Sequence, residues 1–79
     1  MLERALKIKE KHFGPEHPET GTTLNNLGNA YGNLGDYQRQ KEMLERALKI
    51  DEKHFGPEHP STGTTLANLG LAYGDLGDY

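Results

Sequence analysis

The segment MLERALKI opens the chain and returns at Met43, 42 residues later. Set at that offset, residues 1–37 and 43–79 differ at five positions: Lys9/Asp51, Glu19/Ser61, Asn25/Ala67, Asn29/Leu71 and Asn33/Asp75. The other 32 pairs are identical. A repeat of this length confines the chain to stacked supersecondary units, because a single unit has nothing against which to bury its apolar face. The expected organisation is one repeat-array fragment over 1–79, with a first repeat at 1–42 and an incomplete second at 43–79. Both ends fall part-way through a unit, as in a window cut from a longer array.

Two helices are legible in each period. Asp36 is a good N-cap for a run from Tyr37 to about His54, whose apolar positions Tyr37, Met43/Leu44, Ala47/Leu48 and Ile50 recur at helical spacing. Gly56-Pro57 stops it, since glycine accepts a left-handed C-terminal residue and proline cannot continue the ladder. The other helix begins at Pro18, a favoured first position, and carries a stripe of Leu24, Leu27, Ala30/Tyr31 and Leu34 as far as Gly35. The short connection Leu34-Gly35-Asp36 makes the two helices antiparallel neighbours. Gly28, Gly32, Gly70 and Gly74 fall inside helices at a cost of about 1 kcal/mol each relative to alanine. That cost points to a close backbone approach.

Residues 24–50, LNNLGNAYGNLGDYQRQKEMLERALKI, carry a resemblance to the tetratricopeptide repeat. Leu24, Leu27, Gly28, Tyr31, Gly35, Asp36, Tyr37, Leu44 and Ala47 stand where that repeat places its signature residues. The longer period and the sequence FGPEHP resemble the 42-residue variant of kinesin light chains and bacterial tandem arrays. The resemblance implies an all-α, right-handed α-solenoid of antiparallel helix pairs, here in the order B-A-B-A. Gln40 departs from the small alanine usual at the contact between paired helices.

In that family the A helix lines a concave surface that meets the ligand. Carried over, the candidate peptide-binding positions are Thr22, Asn25, Asn29 and Asn33, then Thr64, Ala67, Leu71 and Asp75, with Gly32 and Gly74 between them. Three of the five differences between copies fall on this stripe, spaced by four. Asparagine amides both donate to and accept from a peptide backbone; drift of solvated polar residues is the structural alternative. Asn26 and Asn68, identical in both copies, are expected to bond to a neighbouring helix. Segments 18–38 and 54–79 contain no lysine or arginine, so a charge-assisted carboxylate clamp is not expected.

All nine basic residues lie on the B helices, interleaved with Glu3, Glu42, Glu45 and Glu52. They suggest a solvated convex face with i,i+4 pairs such as Glu42–Arg46 and Glu45–Lys49. The net charge of −3 gives no reason to expect nucleic acid or an anionic membrane as partner, and no apolar run approaches the ~20 residues of a span. With no signal-peptide pattern, a soluble cytoplasmic protein is expected.

No nucleophile–base set, phosphate loop or cysteine is present, so an enzyme is not expected and no cofactor is implied. All four histidines belong to HFGPEHP at 12–18 and 54–60. Each pair straddles a helix stop rather than sharing a helix face, which favours a structural corner over a metal site.

The chain ends are the remaining candidates. The first helix (Leu2, Leu6, Ile8) has no preceding A helix, and the last (Leu66, Leu69, Tyr73, Leu76) has no following B helix. Complementary exposed ends predict head-to-tail self-association into an open filament. Two functions are therefore weighed: a protein-interaction scaffold holding a peptide on the concave face, and a structural, self-stacking repeat module without a specific ligand.

Overall fold

Glycine–proline corners divide the chain into four helices. The structure, a computed structural model, describes residues 2–77. Helix α1 spans Leu2–Phe13, α2 Pro18–Asn33, α3 Tyr37–Phe55 and α4 Pro60–Asp75, and the described residues hold no strand. Helices α2, α3 and α4 each begin with a side-chain cap. Asp36 Oδ1 accepts from the Arg39 N–H at 3.3 Å. At the other two starts the cap is a histidine: His17 Nδ1 accepts from Glu19 N–H at 3.0 Å and His59 Nδ1 from Ser61 N–H at 3.1 Å. This satisfies one of the orphan amides of the first turn, and it requires the tautomer with its proton on Nε2. Phe13 and Phe55 stack on these imidazoles at 4.6 Å. HFGPEHP thus builds a corner, with Gly14 and Gly56 at φ 95° and 88° providing the left-handed residue. Two wholly buried threonines strap it down: Thr20 Oγ1 donates to the Gly14 carbonyl and Thr62 Oγ1 to that of Gly56.

Packing follows the glycines. A Cβ at Gly21 would stand 3.1 Å from Ile50 Cγ2, and one at Gly28 3.1 Å from Leu44 Cγ, while at Gly32 it would collide with the Gln40 amide. These pairs run in opposite directions along the two helices, so α2 and α3 are antiparallel and meet over bare backbone. The departure at Gln40 is thereby accommodated, because Gly32 supplies the space that the larger side chain fills. Leu6, Leu24, Leu27, Ala47 and Ile50 form one core cluster, and Leu44, Leu69 and Ala72 a second on the far side of α3. With Cα extents of 35 × 31 × 14 Å, the slab is too thin for any helix to be covered all round.

The structure corrects several expectations. Leu6 and Leu69 are buried, not exposed at the ends, because α1 and α4 each retain one neighbour and turn these residues toward it. Tyr73 is half-buried and its hydroxyl donates to Glu45 Oε2 at 2.7 Å. Ile8, Leu66 and Leu76 are exposed, while the Leu2 side chain lies outside the described residues. Neither intrahelical ion pair forms: Arg46 reaches across to Glu10 of α1 at 2.7 Å, and Glu45 is engaged by Tyr73. Tertiary partners displaced them because they are less exposed, where a charged contact is screened less. At Gly70, unlike Gly28, nothing lies within 4 Å of an added Cβ, so the close approach expected there is missing.

Two glycines with the same sequence surroundings therefore predict opposite packing costs. Gly70→Ala should stabilise the chain by about 1 kcal/mol through helix propensity. Gly28→Ala should fall short of that gain, because the new methyl presses Leu44. Thermal melts of the two variants side by side check the order.

Candidate interaction surface

Helices α2, α3 and α4 line a groove of about 300 Å³. Helix α2 contributes Thr22, Asn25, Asn26 and Asn29, and α4 contributes Ser61, Thr64 and Asn68. Asp51 and Phe55 from the last turns of α3 close its floor. The wall is polar because helical spacing of three and four puts these short polar side chains on the stripe opposite the leucines.

Of the residues expected to bind a ligand, the groove brings together Thr22, Asn25, Asn29 and Thr64. Asn33, Ala67, Leu71 and Asp75 are exposed but line no part of it. Asn25 differs from the expectation: its amide nitrogen donates to Thr65 Oγ1 at 2.7 Å, so half of that side chain serves the fold. Its Oδ1 is buried without a partner among the described residues. Asn26 and Asn68, expected to bond to a neighbouring helix, make no such bond and stand in the groove wall. Asp51, Phe55 and Ser61 were not legible as groove residues, because a loop separates them in sequence from the stripe on α2.

A buried polar chain joins the three helices. Thr65 Oγ1 accepts from Asn25 and donates its single proton to Asp51 Oδ2 at 2.7 Å, in preference to the neutral Ser61 carbonyl at 3.2 Å. Asp51 is 5% exposed, and this charge-assisted bond offsets part of its desolvation. At the equivalent place between α1 and α2 the chemistry is different. Lys9 stands for Asp51 and Glu19 for Ser61, and the two form a salt bridge of 2.9 Å. The changes at 9/51 and 19/61 are therefore coupled, since Asp51 opposite a glutamate at 61 would place like charges together. Such coupling becomes readable only once the two positions are known to be neighbours.

Charges also hold the corner between α1 and α2. Lys53 pairs with Glu16 at 2.9 Å, and His54 Nε2 lies 2.8 Å from the Glu16 carbonyl. The hydrogen bond from Lys53, then its charge, holds the Glu16 carboxyl below the usual carboxylate range, and Lys9 does the same to Glu19. Among the described residues no three His, Cys, Asp or Glu side chains gather as ligands.

A family model described as a tetratricopeptide repeat matches residues 1–19 and 20–61. The chain belongs to the tetratricopeptide repeat family. The match is to the 42-residue, kinesin-light-chain type, and its second segment spans the α2–α3 pair. Tetratricopeptide repeats are a non-catalytic fold that mediates protein–protein interaction. No curated protein matches the chain. No described helix is long and apolar enough to cross a membrane.

Thr65→Val should cost about 1–3 kcal/mol, because it leaves the buried Asp51 carboxylate without its donor. Thr23→Val at the equivalent position should cost less, since Thr23 bonds only the Glu19 carbonyl of its own helix at 3.2 Å. Urea unfolding of both variants compares them. A second expectation concerns pH. Carboxyls whose folded values are lowered contribute stability above their ordinary range and lose it as pH falls through the lowered values. Stability should decline as pH falls below about 4.5 and through the lowered values of Glu16 and Glu19, and Lys9→Met with Lys53→Met should flatten that decline.

Proposed function

We propose that this chain is a protein-interaction scaffold that holds an extended peptide on the concave face of a right-handed helical-repeat superhelix, in the groove between α2 and α4. One observation carries the reading. Of the five positions at which the copies differ, four line this groove: Asn25, Asn29, Asp51 and Ser61. A repeat otherwise kept identical varies where a ligand would lie. Asn26, Asn29 and Asn68 each offer an amide donor and acceptor along the groove. Among the described residues Asp51 is the one charged group lining the groove, so the groove favours neutral or basic peptides over acidic ones.

A second reading, a structural module that stacks on copies of itself, is favoured by a different observation. The backbone notches at Gly63 and Gly70 stand open, whereas the same notches at Gly21 and Gly28 are filled by α3.

A peptide-library selection distinguishes the groove from a bare polar surface. The triple variant Asn26→Ala/Asn29→Ala/Asn68→Ala removes side chains that bond nothing within the chain, so it should fold like the parent. It should lose the peptides that the parent retains. Equal retention by both would rule out the groove.

A further inference from the structure

The two outer helices carry the two halves of an interface that already exists once inside the molecule. Helix α3 is seated on α2 and the preceding corner by Ile50 over Gly21, Arg46 on Glu10, Lys53 on Glu16, and His54 on the Glu16 carbonyl. Shifted by 42 residues, every one of these groups recurs as the same residue. Helix α1 carries Arg4, Ile8, Lys11 and His12; the α3–α4 side carries Glu52, Glu58 and Gly63. In the described structure each of these lacks the partner its twin has. Ile8 is 60% exposed where Ile50 is 4%, and Leu66 is 46% exposed where Leu24 is fully buried. Gly63 and Gly70 have nothing within 4 Å of an added Cβ. Arg4, Lys11, Glu52 and Glu58 are exposed, and none forms an ion pair among the described residues.

We infer that the occupant of the open face of α4 is α1 of a second copy of this chain, seated as α3 is seated on α2. Ile8 of the incoming copy fills the notch at Gly63. Arg4 pairs with Glu52, Lys11 with Glu58, and the His12 imidazole meets the Glu58 carbonyl. The contact is basic on one side and acidic on the other, so it has one polarity and joins copies head to tail. The junction also leaves no like charges opposed: Lys9 of the incoming copy is already paired with its own Glu19, and Ala67 faces it where Asn25 faces Thr65 inside the chain.

This inference rests on the stacking reading and assigns its interface. Sedimentation velocity from micromolar to millimolar concentration provides the test, with two charge-reversed variants that break no internal ion pair. Arg4→Glu/Lys11→Glu is acidic on both surfaces, and Glu52→Lys/Glu58→Lys is basic on both. The parent should grow from its 8.8 kDa monomer as concentration rises. Each variant alone should remain monomeric, and the two mixed in equal amounts should associate again. Gly63→Leu, which meets open space in the monomer, should keep its helicity and weaken parental association by about tenfold or more. A parent that stays monomeric throughout would overturn the stacking reading and this interface with it. Association that persists in both charge variants and in Gly63→Leu would overturn the interface alone, as would a mixture that stays monomeric although the parent associates.

Discussion

Ile50 and Leu44 rest on the bare backbone of α2 at Gly21 and Gly28, and the rest of the architecture follows from that approach. A helix seated this closely has a fixed azimuth. That azimuth swings Arg46, Lys53 and His54 back to Glu10 and Glu16, where they hold the preceding corner. It also turns the opposite edge of α3 forward, so that Asp51 meets Thr65 of α4 and, through it, Asn25 of α2. Helix α3 therefore has a rear face that grips the preceding corner and a front edge that floors the groove. The glycines cost helix propensity, and the burial of Leu44 and Ile50 offsets it.

The same geometry explains why near-identical copies acquire different roles. Leu24 and Leu66 are one residue type in one local sequence, yet one is wholly buried and the other half-exposed. The difference lies in whether a described helix packs over that face. Position in the stack also separates Lys9 from Asp51. The former makes a solvent-screened surface salt bridge with Glu19, of a kind that contributes little to stability. The latter ends a buried polar chain that ties three helices together. The two junctions are thus chemically distinct although their apolar residues are alike, which opposes a slip of one unit into the other's place.

Much of the fold was readable beforehand because its signals are local. Asp36 as a cap, the corners at Gly14-Pro15 and Gly56-Pro57, and the leucine stripe of α2 depend on residues within a turn or two of each other. The groove was half-readable. Its α2 wall follows from helical spacing, but Asp51, Phe55 and Ser61 enter it only because α3 and α4 fold back across a loop. The capping function of His17 and His59 was visible only as a position at the helix start; the hydrogen bond needs the backbone course. The buried threonines at 20, 23, 62 and 65 escaped altogether, since burial of a hydroxyl depends on a carbonyl or carboxylate that only the folded chain brings near.

The amino-acid sequence by itself determined the period, the two helices per unit, the corners that separate them and the family, because a 42-residue identity and its punctuation leave no other arrangement of apolar stripes. The tertiary structure alone decided which copy of each residue is covered. It closed Gly21 and left Gly63 open, paired Arg46 and left Arg4 unpaired, and put four of the five differences between copies around one groove. Identical residues acquire different environments when a helix packs on one and not on the other, and that is a property of the stack rather than of the residue.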